Sequence, residues 1–384
     1  MKKILVIHTK YRDIGGEDIA VRNEVEFLKE FYIIKELYFN NEIENYFQQT
    51  KSFFLNKNKQ SMNELRKILD EFSPDYAYVH NTWFKGSLGI FQVLKEKNVK
   101  TLLKLHNFRY DCTRSFLSKN HFQGKEYCNS CGLYRNDLSI FNKYYIDSIM
   151  KSVLVIRYGI KYFNILKKNK IKILVLTAFH KEYLNKILQS DKLISVIPNY
   201  IEISNKFITN KSESYIVYAG RISEAKGVRE LIESFNNAEL NDVKLKIIGV
   251  GPEYKKYKKI FSSSNIEFLG AIENKEVLEI ISKSKAVITT TKLYEGQPTL
   301  LCEASSMGVA SFYPRTGGIS EFFPEDYDLS FEQFNYKELT KKLSYLLDDK
   351  KIKSIGIENK THITNYLSKK NLINKFEKAI NEQI

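Results

Sequence analysis

The chain has 384 residues, of which 43% are hydrophobic and 27% charged, with a net charge of +15. That length holds two domains with separate cores, and no run of about eighteen uncharged apolar residues exists to span a membrane. The basic balance calls for acidic partners such as nucleotide phosphates or anionic lipid headgroups, and the lack of any nucleic-acid module argues against nucleic acid.

The opening Met1-Lys-Lys-Ile-Leu-Val-Ile-His8 reads as a first buried strand rather than a signal peptide. Its apolar run stops early and no small-residue cleavage site follows. Short apolar runs then alternate with helical spacing, the pattern of parallel α/β layers. In the first half, strands are expected at Ile4–His8, Ile33–Leu37, Tyr76–His80, Thr101–His106, Ile171–Leu176 and Ile194–Pro198, with helices at Gly16–Glu30 and Met62–Phe72. The polar stretch Ser204–Ser214 reads as a linker. Beyond it, strands are expected at Tyr215–Gly220, Leu245–Gly249, Ile266–Leu269, Ala286–Thr290 and Val309–Tyr313. Helices are expected at Val228–Phe235, Glu276–Ser282, Thr299–Met307 and Tyr336–Leu347. Leu372, Ile373, Phe376, Ala379 and Ile380 share one face of a last helix, a stripe suited to docking on a core. The expected division is residues 1–203, residues 204–365, and a C-terminal helix over 366–384 that returns to the first domain.

In open α/β sheets ligands bind at the carboxyl ends of strands, and the polar residues gather there. Gly15-Gly16-Glu17 follows the first strand and opens a helix, His80-Asn81 ends the third strand, and His106-Asn107-Phe108-Arg109 ends the fourth. In the second half Gly220-Arg221 follows a strand and Lys226-Gly227 opens a helix. A guanidinium fork and a mobile ammonium there suit a diphosphate, although a solvated basic turn has the same composition. The loop Gly249-Val-Gly251-Pro252 lacks the third glycine of a dinucleotide fingerprint, and Gly317-Gly318 precedes another helix start and is expected to line the same cleft. Most telling is Glu295-Gly-Gln-Pro-Thr-Leu-Leu-Cys-Glu303. Pro298, which lacks an N–H, suits a first helical turn, and the free amides around it, from Gln297 through Thr299 to Leu300, favour an anion. Glu303 can accept two hydrogen bonds from a vicinal diol such as a ribose, and Glu295 can hold a sugar hydroxyl.

Taken in order, the Gly-Gly loop, the His-Asn strand end, the Arg/Lys pair and the Glu-x7-Glu stretch resemble the retaining glycosyltransferases of family 4. Val196-Ile-Pro-Asn199 resembles that family too. The resemblance implies an α/β fold of two Rossmann-like domains facing across a cleft (GT-B), the first for the acceptor and the second for a nucleotide-sugar donor. It implies that Arg221 and Lys226 bind the donor diphosphate, Glu303 the ribose, and Glu295 the donor sugar near its reacting face. His106 would line the sugar subsite, Gly16 would approach the donor, and Gly15, His80 and Asn81 would lie on the acceptor side. Many relatives carry a Phe or Ser between Glu and Gly, where this chain has Glu295-Gly296 directly. The implied reaction is metal-independent, hexose-transferring and retaining, needs no cofactor, and serves surface polysaccharide (capsule) or lipopolysaccharide assembly on a glycan or lipid-linked acceptor. Rival readings are another GT-B enzyme, such as a nucleotide-sugar epimerase, and a non-catalytic nucleotide-sugar or glycan-binding protein.

Two features stand outside that frame. Cys112, Cys128 and Cys131 have the spacing Cys-x15-Cys-x2-Cys, which with His106 or His121 would make a structural zinc site; loose thiols in a long loop are the bland reading. The four cysteines form no extracellular disulfide framework, so a cytoplasmic location is expected. The Lys/Arg-rich, apolar stretch Leu138–Lys168 suits either a core helix pair or a peripheral position on the inner face of the cytoplasmic membrane, resting on anionic lipid.

Overall fold

In the computed structural model the described residues are 1–10, 15–41, 52, 54–112, 127–130, 148–169, 171–190, 193–202, 212–261 and 263–382. They fall into two units, Met1–Tyr200 with Leu372–Ile384, and Ile201–Asn371.

The first unit is built on strands β1 (Lys3–Lys10), β2 (Ile33–Asn40), β3 (Tyr76–Val79), β4 (Lys100–Leu105), β5 (Lys172–Val175) and β6 (Ile194–Val196). They lie in the order β2-β1-β3-β4-β5-β6, and all pair in parallel. Both faces of β3 and β5 are buried, which is why Tyr76–Val79 and residues 173–175 read as unbroken apolar runs rather than as alternation. Leu5, Ile7, Ala77, Val79, Leu103 and Ile173 from the sheet form one core with Leu65, Ile90, Val155 and Leu184 from the helices.

Helices Gly16–Leu28, Lys59–Phe72, Gly89–Glu96, Ile149–Lys168 and Ala178–Leu188 flank this sheet. Good capping marks several starts: Asn58, Ser148 and Thr177 each accept a bond from an amide in their helix's first turn. The C-terminal helix Lys369–Asn381 buries Leu372, Ile373, Phe376, Ala379 and Ile380. Phe376 packs against the rings of Tyr32 and Tyr78, and Glu382 pairs with the buried Lys172 at 2.7 Å.

The second unit carries β7 (Tyr215–Ala219), β8 (Lys244–Ile248), β9 (Ile266–Gly270), β10 (Ala286–Ile288), β11 (Ala310–Arg315) and β12 (Ser330–Glu332). Their order is β12-β11-β10-β7-β8-β9. The chain therefore winds outward from β7 in one direction, then crosses back to β10 and winds out in the other. That reversal opens a crevice at the carboxyl ends of β7 and β10. The first sheet has its own reversal, at β1 and β3.

Several boundaries differ from the sequence reading. The strands expected to run to His80, His106 and Pro198 stop at Val79, Leu105 and Val196, so both histidines sit in the loops just past the sheet edge. The helix expected over Tyr336–Leu347 is α-helical only to Leu343 and ends in a 3-10 turn, Ser344–Leu347. Helix Asp349–Tyr366 and strand β12 were not anticipated. Most of the expected linker, residues 204–211, lies outside the described residues.

Candidate active site

At the reversal of the second sheet, two loops far apart in sequence are locked together. The turn Glu224–Lys226 follows β7, and the segment after β10 lies along it. Thr290 Oγ1 donates to the Gly227 carbonyl at 2.8 Å, and the Lys292 amide donates to the Ala225 carbonyl at 3.0 Å. Gly227 is left-handed (φ +67°), and a Cβ there would meet the Thr290 carbonyl oxygen at 2.1 Å. Only glycine lets these backbones come so close.

The locked loops bring Lys226 Nζ to 2.5 Å from Glu295 Oε1, and Thr291 Oγ1 donates to the same oxygen at 2.9 Å. Both Lys226 and Glu295 keep roughly a third of their side-chain surface open to solvent, at 31% and 27%. A second pair lies beside them: Lys292 Nζ is 2.6 Å from Glu230 Oε1 and is almost fully buried. From behind, the Gly317-Gly318 loop braces Glu295. The Gly318 amide donates to the Glu295 carbonyl at 2.9 Å, and a Cβ on the left-handed Gly317 would meet that carbonyl oxygen at 2.2 Å. These two glycines, expected to line the site, therefore support the glutamate instead.

Arg221 follows β7 on an exposed turn, and its guanidinium pairs with no carboxylate among the described residues. Tyr218 closes that turn by donating from its hydroxyl to the Arg221 carbonyl at 3.0 Å. Burial, then the charge of Glu295, pushes the Tyr218 phenol up, so it stays a neutral donor. The Gly249–Pro252 loop also packs on this turn, with the Ile222 amide donating to the Val250 carbonyl at 3.0 Å. Its glycines thus pack on protein backbone: an added Cβ at Gly249 would meet the Gly220 carbonyl oxygen at 2.1 Å and one at Gly251 the Ile222 carbonyl oxygen at 2.2 Å.

Helix Thr299–Ser306 starts one residue later than Pro298, which precedes its first turn. The Thr299 amide turns back to the Gln297 carbonyl at 3.0 Å and the Cys302 amide bonds to the Pro298 carbonyl at 3.0 Å. Thr299 therefore offers no free backbone amide, contrary to expectation. Leu300 and Leu301 remain, with no carbonyl acceptor for their amides among the described residues. Gln297 is buried. Leu301, Cys302, Ala304, Ser305 and Ser306 face the core, which leaves Thr299, Leu300 and Glu303 on the open face.

Glu303 is the most perturbed acid here. No described group hydrogen-bonds its carboxylate, and burial alone pushes it up from 4.5 to about 7. A half-buried carboxylate with free lone pairs is costly unless a ligand completes it.

The first unit has a separate polar cluster at its own reversal. His8, on β1, places Nε2 at 2.8 Å from Asp18 Oδ1, while the other Asp18 oxygen accepts the Gly15 amide at 2.8 Å. His80 Nδ1 lies 3.0 Å from His106 Nε2. Burial, followed by neighbouring positive groups, holds both of these imidazoles well below their usual range, so the pair is neutral.

Beneath them the fully buried Lys104 binds both oxygens of Glu24 at 2.7 and 2.8 Å, and the Tyr78 hydroxyl donates to Glu24 at 2.9 Å. A small cavity of about 20 Å³, room for one water, is lined by His80, His106, Lys104, Asn107, Glu17 and Trp83, among others. Asn81 lines it too, but its amide is engaged in bracing the loop: Nδ2 donates to the Thr9 carbonyl at 2.8 Å and Oδ1 accepts the Trp83 amide at 2.9 Å. Around Gly16 the space is open, with nothing within 4 Å of an added Cβ.

Of the cysteine cluster, only Cys128 is described with its side chain, and it is buried. Cys131 and His121 lie outside the described residues, as does the side chain of Cys112. His106, the other conceivable ligand, is paired with His80. Among the described residues no group of three or more His, Cys, Asp or Glu is placed to hold a metal ion.

Two parallel six-stranded sheets with flanking helices, one in each unit, place the chain in the GT-B fold class. Residues 199–363 match the family model described as Glycosyl transferases group 1, so the domain match falls on the unit that holds Lys226, Glu295 and Glu303. Among solved structures the chain is similar to the lipopolysaccharide outer core galactosyltransferase WaaB in its apo form, with 15% identity over all of both chains and a TM-score of 0.65. It is similar to a sucrose-phosphate synthase from Thermosynechococcus elongatus, with 13% identity over 100% of this chain and 99% of that one and a TM-score of 0.71. It is also similar to Anabaena HepE in complex with UDP-glucose, with 12% identity over 99% of each chain and a TM-score of 0.67. No curated protein matches it in sequence.

Proposed function

We propose that this chain is a retaining glycosyltransferase that moves a hexose from a nucleotide sugar to a glycan or lipid-linked acceptor, in the assembly of a surface polysaccharide or lipopolysaccharide. The observation that carries this reading is Glu303: a desolvated carboxylate with no hydrogen-bond partner among the described residues, on the open face of a helix whose Leu300 and Leu301 amides are free. That combination suits a ribose diol next to a diphosphate. The domain match over residues 199–363 and the UDP-glucose held by Anabaena HepE support a nucleotide-sugar donor.

The chemistry follows from charge. Breaking the bond between the anomeric carbon and the diphosphate leaves negative charge on the phosphate and partial positive charge on the ring. Arg221, the Leu300 and Leu301 amides and Lys226 supply the compensating positive end. Lys226 is held against Glu295 and can share its protons between that carboxylate and a phosphate oxygen. These groups do the work of a divalent cation, so the reaction is metal-independent. The acceptor oxygen attacks from the face the diphosphate leaves, its proton passes to the departing phosphate oxygen, and the anomeric configuration is kept. Glu295 contacts the sugar and stabilises the charged ring; it does not form a covalent bond. His106, neutral and paired with His80, belongs to the polar cluster of the first unit.

The test is nucleoside diphosphate release from a panel of nucleotide hexoses, with and without acceptor and with chelator present, and product configuration read by NMR. Release and transfer by the wild-type chain, lost in Glu303→Ala and Arg221→Ala, supports the reading. Interconversion of donors without acceptor would make the chain an epimerase, and donor binding without turnover a binding protein. Wild-type transfer rates in both variants would reject the site.

A further inference from the structure

The bonds to the Glu295 carboxylate converge on one of its oxygens. Lys226 Nζ and the Thr291 hydroxyl both reach Oε1, at 2.5 and 2.9 Å, and Oε2 has no hydrogen-bond partner among the described residues. The two donors differ in kind. Lys226 is long, and its side chain is 31% open to solvent. Thr291 is short and only 1% exposed, so it touches protein and not a ligand.

The backbone that carries Thr291 is pinned on both sides. Before it, Thr290 Oγ1 holds the Gly227 carbonyl. After it, the Lys292 amide holds the Ala225 carbonyl and Lys292 Nζ pairs with Glu230, and Thr316 Oγ1 donates to the Leu293 carbonyl at 3.3 Å. The direction of the Thr291 bond is fixed as well. The Leu293 amide donates to Thr291 Oγ1 at 3.2 Å, and an ionised carboxylate only accepts, so the single hydroxyl proton goes to Glu295.

We propose that Thr291 is a positioning residue for sugar transfer: it anchors Glu295 Oε1, so that Oε2 stays presented to the donor sugar while Lys226 turns its protons to the diphosphate. The inference rests on the donor-site reading above. Charge grows on the leaving phosphate as the anomeric bond breaks, and the mobile ammonium follows it. Glu295 would then lose its only cationic partner, at the moment when the ring needs a carboxylate in a fixed place. A buried hydroxyl in a pinned loop supplies the contact that does not move, which is worth most in the transition state and little in the bound ground state.

Three variants of the full chain test it, with the nucleotide hexose from the panel above that the wild type turns over fastest. Calorimetry gives donor affinity, and nucleoside diphosphate release to water gives kcat without an acceptor. Thr291→Val keeps the branched shape and removes the hydroxyl; it should lower kcat about tenfold and leave donor Kd within about twofold. Thr291→Ser keeps the hydroxyl and loses the methyl, and kcat should return to within about threefold of wild type. Thr291→Cys, close in size with a weaker donor, should fall between them, and serves if the valine variant does not fold. Wild-type kcat in Thr291→Val, a Thr291→Ser as slow as it, or a fall confined to donor affinity would overturn this inference and leave the donor site standing. Failure of the wild-type chain to release nucleoside diphosphate from any nucleotide hexose would overturn the donor site, and the inference with it.

Discussion

Replacing Glu303 by Gln removes a charge while keeping the shape of the side chain, and the structure sets the size of the effect. The folded protein holds this carboxyl at about 7, against 4.5 for an ordinary glutamate, because of burial. At about 1.4 kcal/mol per pH unit, ionising it in the folded state costs on the order of 3 kcal/mol. Below pH 4.5 both the folded and unfolded chains carry the proton and the residue contributes nothing. Between 4.5 and 7 the unfolded chain ionises while the folded one keeps its proton, so stability falls as pH rises; above 7 the deficit is constant.

Glu303→Gln should therefore be more stable than wild type at pH 8 and equal to it near pH 4. A ribose diol reverses the preference, since its two hydroxyls donate to the ionised form. Nucleotide-sugar affinity should then be flat above pH 7.5 and fall toward tenfold per unit below 6.5. At pH 8 the Gln variant should bind about tenfold to a hundredfold more weakly, with no slope between pH 5.5 and 8.5. A nucleotide sugar is the right probe, because its diphosphate is ionised throughout that range. Titration calorimetry across pH reads all of this. A wild-type affinity that does not change with pH, or a Gln variant that keeps the slope, would refute the ribose assignment.

Three further outcomes follow from the geometry. Arg221→Ala removes an exposed, unpaired guanidinium, so chemical denaturation should register a change within about 0.5 kcal/mol while donor affinity falls about tenfold or more. Gly317→Ala forces a Cβ onto the Glu295 carbonyl in a left-handed backbone, and should cost roughly 1–3 kcal/mol and lower donor turnover with it; unchanged turnover would remove the bracing role. Lys104→Met strands the buried Glu24 carboxylate, an expected loss of about 3–5 kcal/mol. Adding Glu24→Leu should recover most of that loss in the same denaturation assay, since no buried charge is then left unpaired and only neutral groups, the Tyr78 hydroxyl and the Pro198 carbonyl, lose a partner.

The sheets were legible because parallel strands buried on both faces must be almost wholly apolar, as Tyr76–Val79 and residues 173–175 are; Lys172, at the start of its strand, is neutralised by Glu382. Strand β12, only three residues long, is too short to show any period. Helix Asp349–Tyr366 hid for another reason: its sequence DKKIKSIGIENKTHITNY mixes Gly, Thr and many polar residues, so its buried side shows only as Ile352, Gly356, Asn359 and Ile363. The motif residues were also legible one by one, yet their roles were not.

That Lys226 and Glu295 touch depends on Gly227 and Thr290 locking two loops, which no local pattern records. Lys104 with Glu24, 80 residues apart in sequence, and Lys292 with Glu230 are pairs made by the sheet's winding. From sequence each looks like an ordinary surface charge. Asn81 and the Gly317-Gly318 turn were read as ligand contacts because glycines and amides at strand ends serve both ligands and loops, and only the hydrogen-bond partners tell the two uses apart.

The helix Lys369–Asn381 gives the molecule an unusual genetic layout. Because Phe376 fills a space between Tyr32 and Tyr78, the last stretch of the chain completes the lobe that the first two hundred residues begin, and the whole of Ile201–Asn371 behaves as an insertion into it. A frameshift just ahead of Leu372 would thus injure the amino-terminal lobe while leaving the residues of the other unit intact. Anyone wishing to produce that lobe alone would have to splice Tyr200 to Leu372 through a short bridge, since cutting after Tyr200 would leave an open seam of aromatic rings.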